Sequence, residues 1–197
     1  MTVDVHVSAY DDAFIDNIED IMEETIVQMF VLHPKSIDSL EEVQELSNEH
    51  NNIFYTVPTE LLENSCNKCV GVVISSAKEL EQIEDRVVMI EEAHLDETFY
   101  EALGAHKGII LNATKSHEDL ENFFVSISPS SIDLFDKDEL NKLSMQKIAL
   151  QSNYPKHEFD EVYTTVEKIS HAMFRSEQSI TLEATKNTLQ LFSLMKG

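Results

Sequence analysis

Short apolar runs rich in Val, Ile and Leu recur along the whole chain, and helical patterns or turn residues separate them. Runs of this length with many β-branched residues are typical of buried strands. Strands that alternate with helices form parallel sheets, because each parallel pair needs a crossover connection. The predicted strands are Val3–Val7, Val27–Leu32, Ile53–Val57, Val70–Ile74, Val87–Ile90, Gly108–Leu111, Phe124–Ile127 and Ile148–Leu150.

The number of these runs restricts the possible architectures. Eight strand-and-crossover units are the count of a closed (β/α)8 barrel, which usually takes ~250 residues and at least ~200. The chain has only 197 residues, so several crossovers must be short. We predict one α/β domain over residues 1–197, a compact (β/α)8 TIM-type barrel with shortened helices. The alternative is an open doubly wound α/β sheet.

Serine patterns predict where several of the helices begin. Ser39 to Glu42 and Ser76 to Glu79 match the capping box, in which serine and glutamate side chains bond the first free N–H groups. Ser116 to Asp119 is expected to start a helix after the sixth strand, and Ser179 to cap a final helix. The apolar stripe of the preceding helix consists of Phe159, Val162, Val166, Ile169 and Met173.

The charge balance excludes one class of partner. The chain has 14 Lys and Arg against 37 Asp and Glu, a formal net charge of −23. Nucleic-acid binding depends on Lys and Arg that neutralise phosphates, so nucleic acid is not an expected partner. No apolar run approaches the ~20 residues of a membrane span, and the N-terminus lacks the basic and apolar regions of a signal peptide. We expect a cytoplasmic protein with no membrane partner.

In a barrel of this type the active site lies at the carboxyl ends of the strands. Residues 3–11 read Val-Asp-Val-His-Val-Ser-Ala-Tyr-Asp. This segment resembles the opening of TatD-type metal-dependent hydrolases, the TatD-related DNases of the amidohydrolase-like superfamily, where a strand ends in His-x-His and an Asp follows. The resemblance matches His6 to the first histidine ligand and Ser8 to the second. A neutral hydroxyl is a poor substitute for an imidazole ligand.

The resemblance continues in order along nearly the whole chain. The segment from Gly108 to Asp119 is similar to the family's sixth strand and the acidic helix after it, and Leu111 stands where the family has a histidine. The other similar segments are His33–Ser36 with Ser39–Glu42, Phe123–Ser128, Lys147–Pro155 and Ser179–Leu194. The resemblance implies a barrel that binds a divalent metal (Mg, Mn or Zn) and hydrolyses phosphodiesters.

The eighth strand departs from the family pattern at two acids. The segment Leu150-Gln151-Ser152-Asn153 is similar to the family's Leu-Glu-Thr/Ser-Asp, in which the Asp is a metal ligand that can also activate water. Here both acids are amides, and an amide binds a divalent cation weakly. The vestigial positions His6, Ser8, Leu111 and Asn153 therefore indicate a degenerate member that has lost most of its metal ligands.

A reduced metal site is the alternative at these strand ends. If residues 87–96 are placed on the family's Gly-Glu-Ile-Gly-Leu-Asp motif, Glu92 is the retained glutamate ligand, and His6, Glu92 and His94 could bind a metal. We prefer the register with eight strands in order, in which Glu91 or Glu92 stands where the fifth strand of the family has histidine. The remaining histidines, His50, His106, His117, His157 and His171, are expected on the surface.

Two functions follow as hypotheses. The first is a TatD-related hydrolase homologue without activity or cofactor, a pseudoenzyme that binds an unidentified protein or small molecule and forms a homodimer. The second is a metal-dependent phosphoesterase or deoxyribonuclease that uses the reduced metal site.

Overall fold

The computed structural model describes residues 2–7 and 12–194, and in these residues eight parallel strands close into one barrel in chain order. The predicted (β/α)8 barrel is confirmed, and the alternative of an open doubly wound sheet is wrong because β8 pairs with β1 through Leu150 and Asp4. The strands are β1 (Thr2–Val7), β2 (Val27–Leu32), β3 (Ile53–Pro58), β4 (Cys69–Ile74), β5 (Val87–Glu91), β6 (Lys107–Leu111), β7 (Phe123–Ile127) and β8 (Ile148–Leu150).

Shortened crossovers explain how 197 residues complete the barrel. Short 3-10 helices, Thr59–Asn64 and Ala77–Gln82, form the crossovers after β3 and β4, and the second replaces the helix predicted at Ser76. The α-helices of the described residues are α1 (Asp12–Asp16), α2 (Ile18–Glu24), α3 (Ile37–Glu49), α4 (Glu97–Ala102), α5 (Lys137–Lys142), α6 (Glu161–Met173) and α7 (Glu177–Leu191). None of these helices is long and apolar enough to cross a membrane.

Alternating strand residues divide the core into two clusters. One cluster fills the barrel, because it joins residues from strands on all sides of it, and the other packs between the strands and the helices. The inner cluster includes Val5, Val31, Met89, Ile109 and Ala149. The outer cluster includes the neighbouring strand residues Phe30, Leu32, Ile90, Ile110 and Leu150, together with helix residues. Gly108 is required where β6 passes between its neighbours, since a Cβ there would lie 2.0 Å from the Val88 carbonyl oxygen.

Four predicted helix starts differ from the structure. Ser176, not Ser179, caps α7, because its hydroxyl accepts a hydrogen bond from the Ser179 N–H at 3.2 Å. Ser36, not Ser39, caps α3, because the Ser39 side chain is the N3 partner that bonds back to the Ser36 N–H. Glu79 accepts hydrogen bonds from Ser75 and Ser76, but this arrangement begins a 3-10 helix. No helix follows β6 at Ser116, because His117 has a left-handed backbone (φ 49°) that a helix cannot contain.

Candidate functional site at the carboxyl ends of the strands

Two buried imidazoles lie side by side where β1 and β2 end. His6 lies within a register shift of β1 between Asp4 and Val7, and its ring centroid is 5.2 Å from that of His33. His33 Nδ1 lies 3.2 Å from Thr56 Oγ1, whereas His6 Nδ1 has no hydrogen-bond partner. Burial, with smaller effects of His33 and Lys35, lowers the pKa of His6 to about 3. Burial and Lys35 lower the pKa of His33 to about 4. Both rings are therefore neutral at pH 7.

A fully buried carboxylate, that of Asp4, lies two residues before His6 on β1. Asp4 accepts hydrogen bonds from the backbone N–H of His6 at 3.2 Å and of Ser152 at 3.2 Å, and from the Ser152 hydroxyl. Burial raises the pKa of Asp4 to about 6, although these hydrogen bonds oppose the shift. Asp4 pairs in register with Phe30 and Leu150, two residues of the outer cluster, so it joins β1 to the loop after β8 and does not face the barrel interior.

The residues at the ends of β6 and β8 are apolar or uncharged. Leu111 is fully buried in the inner cluster. Gln151 Oε1 accepts hydrogen bonds from Ser126 Oγ at 2.7 Å and from the Asn112 N–H at 3.2 Å, while Gln151 Nε2 has no partner. Asn153 has a left-handed backbone (φ 67°), is only partly buried, and donates from Nδ2 to Ser130 Oγ at 3.2 Å.

This donor set does not fit a divalent metal. The strand ends of β1 and β2 supply two imidazoles, and Ser8 lies outside the described residues. Within residues 2–7 and 12–194, no three His, Cys, Asp or Glu side chains come together in an arrangement that could hold a metal ion. The structure therefore does not bring His6, Glu92 and His94 together, and His94 is exposed on a 3-10 helix after β5. Structural and catalytic metal sites need at least three converging protein ligands.

A second polar cluster lies at the ends of β5 and β6. His117 Nε2 is 2.5 Å from Glu92 Oε1, and His117 Nδ1 is 2.9 Å from the Tyr100 hydroxyl. Glu92 Oε2 accepts hydrogen bonds from the Thr114 N–H at 3.0 Å and from its hydroxyl at 2.5 Å. These residues line a pocket of about 840 Å³ between α4 and the loop after β6, which Lys115 also borders.

The surroundings of this cluster shift the pKa values of Glu92 and Tyr100. Burial would raise the pKa of Glu92, but hydrogen bonds from His117 and Thr114 outweigh it and lower that pKa. Burial, together with the negative charges of Asp119 and Glu92, raises the pKa of Tyr100. At pH 7 the cluster therefore contains a carboxylate and a protonated phenol on either side of the imidazole.

His117 corrects one prediction from sequence. It was expected on the surface, but only 1 % of its side chain is exposed. Tyr100, which sequence reasoning missed, lies on α4 and stacks against His117 with 5.8 Å between ring centroids. The available signal was position, because His117 follows β6 in a loop at the barrel end where active sites form. A polar neighbourhood in sequence does not report burial.

Comparisons with known proteins match the fold. YjjV, a TatD homologue from Escherichia coli K12, has a TM-score of 0.75 and 12 % identity over 98 % of both chains. A TatD family hydrolase from Entamoeba histolytica has a TM-score of 0.67 and 9 % identity over 96 % of this chain and 97 % of its own. A dihydroxybenzoic acid decarboxylase from a Polaromonas species, solved with bound manganese, has a TM-score of 0.60 and 12 % identity over 100 % and 97 %.

These likenesses confirm the predicted resemblance at the level of the fold: the chain has the barrel of TatD homologues and amidohydrolase-like enzymes. No protein-family profile and no curated protein matches the sequence.

Proposed function

We propose that this chain is a TatD-related barrel that has lost metal-dependent hydrolysis and acts by binding a protein or a small molecule. The observation that carries the proposal is the set of groups at the strand ends: two neutral imidazoles, an apolar Leu111, and the amides Gln151 and Asn153. A metal hydrolase with this fold needs anionic or imidazole ligands that converge on one point.

The contacts of Glu92 also support the proposal. Oε1 is bonded to His117 and Oε2 to Thr114, so a metal would have to displace these hydrogen bonds. The net charge of −23 acts in the same direction, because it repels a polyanionic nucleic-acid substrate. The alternative is a phosphoesterase with a reduced site on His6, Glu92 and His94. Its one supporting observation is that His6 Nδ1 is buried without a hydrogen-bond partner.

The test measures metal and turnover on the same protein. The purified chain is incubated with Mg²⁺, Mn²⁺ or Zn²⁺, desalted and analysed for bound metal by mass spectrometry. Hydrolysis of bis(p-nitrophenyl) phosphate is then followed for the wild type, for His6→Ala and for the control His171→Ala, whose side chain is 82 % exposed. We expect substoichiometric metal and no turnover above buffer. Stoichiometric metal with turnover that is lost in His6→Ala and kept in His171→Ala would support the phosphoesterase.

Two other expectations stay predictions. Self-association as a homodimer is tested by light scattering at micromolar concentration, where a monomeric mass would contradict it. The cytoplasmic location is tested by fractionation of cells that express the tagged chain.

A further inference from the structure

The pocket at the ends of β5 and β6 contains a hydroxyl, an imidazole and a carboxylate in one hydrogen-bonded chain. We propose that this pocket is a metal-independent acyl-transfer site in which Tyr100 is the nucleophile, His117 the base, and Glu92 the residue that positions the base. The proposal goes beyond the binding role, and it does not depend on the vestigial positions at β1, β6 and β8.

The hydrogen bonds assign the roles within the chain. A carboxylate can only accept hydrogen bonds, so His117 Nε2 carries the proton and donates to Glu92 Oε1 across 2.5 Å. In the neutral ring this leaves Nδ1 as an acceptor, and the Tyr100 hydroxyl donates to it across 2.9 Å. A nucleophile within reach of a base that a third group orients is the arrangement of nucleophilic hydrolases.

Glu92 and His117 are held before any substrate binds. Thr114 donates its N–H and its hydroxyl to Glu92 Oε2, which fixes the carboxylate at the end of β5. The His117 side chain is 1 % exposed and stacks against the Tyr100 ring, so the imidazole has little freedom to rotate. The pocket of about 840 Å³ opens onto Tyr100, which leaves room for a small substrate beside the hydroxyl. Such a fixed arrangement lowers the entropy cost of reaction.

The reaction is the hydrolysis of a small carboxylic ester. The Tyr100 oxygen attacks the carbonyl carbon while its proton moves to His117 Nδ1, and Glu92 stabilises the imidazolium. The ester C–O bond then breaks, and the departing alcohol takes that proton. Water attacks the resulting acyl-tyrosine with His117 as the base, which releases the carboxylic acid and returns the proton to Tyr100. The raised pKa of Tyr100 means that the phenol is protonated at rest, so the base must act during the attack.

The charges around the pocket select among esters. Asp96, Glu97 and Glu101 are exposed carboxylates among its lining residues, and Lys115 is the one ammonium among them. Lys115 can stabilise the oxyanion of the tetrahedral intermediate. The three carboxylates favour an ester with a cationic alcohol and disfavour an anionic ester. We therefore assign an acyl ester with a cationic or neutral leaving alcohol as the substrate class.

The experiment uses acetylthiocholine, the thioester analogue of a cationic ester in which a thiol takes the place of the departing alcohol, and acetylsalicylate as the anionic ester. EDTA is present with both to remove any metal contribution. Thiocholine release is followed with a thiol reagent added after the protein is removed, since the chain has two free cysteines of its own. We expect turnover of acetylthiocholine and at least ~10-fold slower turnover of acetylsalicylate, because of the carboxylates at the pocket edge. Mass spectrometry of protein quenched in acid is expected to locate one acetyl group on Tyr100.

Matched variants separate the chemistry from folding. Tyr100→Phe keeps the ring and should abolish both acetylation and turnover, whereas Tyr163→Phe, at an exposed tyrosine on α6, should change neither. Glu92→Gln should lower kcat by on the order of 100-fold with little change in KM, because the amide can donate to His117 and favour the wrong tautomer. Glu92→Asp, which restores a carboxylate, should recover part of the loss.

The outcomes decide the proposal. Turnover in EDTA that Tyr100→Phe abolishes and Tyr163→Phe keeps supports it, provided that both variants melt within a few degrees of the wild type. Acetylation of a lysine with Tyr100 unmodified overturns it. Equal rates of hydrolysis in Tyr100→Phe and the wild type also overturn it. The same holds if neither protein hydrolyses the ester faster than buffer alone. A metal-dependent phosphodiesterase activity would contradict the proposed function and leave this result unchanged.

Discussion

Buried histidines occupy two regions at the same end of the barrel, and their partners differ. At β1 and β2, His6 packs against His33, and the His6 Nδ1 atom has no hydrogen-bond partner. At β5 and β6, His117 forms a hydrogen bond with Glu92 through one ring nitrogen and with Tyr100 through the other. The first region contains His6, one of the positions that the sequence predicts to be vestigial. The contacts of His117 in the second region were not expected from the sequence.

The difference shows that burial alone does not make a histidine reactive. Burial, with smaller effects of His33 and Lys35, lowers the pKa of His6 to about 3, so the ring is uncharged near pH 7. In the second region, the Glu92 carboxylate and the Tyr100 hydroxyl each form a hydrogen bond with one nitrogen of the His117 ring. The two regions should therefore respond differently to acid and to substitution.

The largest difference is expected on acidification. His6 and His33 have folded pKa values of about 3 and 4, below the ordinary 6.5, so their contribution to stability is present above pH 6.5 and is lost as the pH falls toward the folded values. At pH 4.5 these two histidines together lower the free energy of unfolding by about 5 kcal/mol relative to pH 7. Asp4 acts in the opposite direction, because its pKa is raised from 3.8 to about 6. Between pH 7 and pH 4.5, its protonation raises the free energy of unfolding by about 2 kcal/mol.

Urea unfolding at pH 7 and pH 4.5 measures this loss. His6→Leu should remove about half of the histidine contribution, whereas His94→Gln, at an exposed position, should leave the loss unchanged. If His6→Leu and the wild type lose the same free energy of unfolding between the two pH values, His6 is not a buried neutral ring.

The next largest effect is expected at His117 under neutral conditions. His117→Leu leaves the buried side of Glu92 without its imidazole partner and frees the Tyr100 hydroxyl, so we expect a loss of about 2 kcal/mol in the free energy of unfolding. His171→Leu, on the exposed face of α6, is the control and should change the free energy by less than ~0.5 kcal/mol. Equal losses in the two variants would mean that the Glu92–His117–Tyr100 chain contributes nothing to stability.

His6→Leu at pH 7 should have a smaller effect than His117→Leu. Because Nδ1 of His6 is already buried without a partner, removing the ring forfeits no hydrogen bond from that atom. Leucine is close in size and suits the apolar interior, so the free energy of unfolding should stay within about 1 kcal/mol of the wild type. A loss as large as that of His117→Leu would indicate a partner for His6 in the folded protein and remove the contrast between the two regions.

The fold was predictable because it depends on a repeating pattern. Most strands are runs of apolar residues on both faces, and β1 is the main exception, with Thr2, Asp4 and His6 alternating with its valines. The count of these runs, the short chain and the resemblance all indicate a barrel with shortened crossovers. The exceptions are local. The helix predicted at Ser116 is absent because His117 adopts a left-handed backbone, and the Ser39 prediction was three residues late because the Ser36 hydroxyl accepts the first free N–H group.

The candidate site was less predictable, because it depends on contacts between distant residues. The sequence identifies Glu92 as a possible ligand, but only the fold brings Tyr100 and His117 to it from α4 and from the loop after β6. The vestigial positions are a different case. Their residue types follow from the resemblance, yet the direction of the Asn153 side chain depends on its left-handed backbone, which sequence alone does not give.

The smallest expected effect concerns that residue. Asn153→Asp removes the amide donor to Ser130 Oγ, but the residue is partly exposed and aspartate tolerates a left-handed backbone. We expect a loss of less than ~0.5 kcal/mol in the free energy of unfolding. The carboxylate that this substitution introduces would not complete a metal site, because Asn153 contacts Ser130 and the nearby strand ends provide Leu111 and Gln151.

The measurement is thermal melting of Asn153→Asp and of the double variant with Ser8→His, with and without Mn²⁺ or Zn²⁺. A ligand that binds only the folded state raises the melting temperature by an amount that grows with its concentration. We expect no rise in Asn153→Asp, because its one added carboxylate meets no converging ligands among residues 2–7 and 12–194. A concentration-dependent rise in the double variant alone would mean that Ser8 and Asn153 lie near His6, and that two substitutions recreate a cation site. A rise in the single variant would contradict the proposal that this end of the barrel no longer fits a metal.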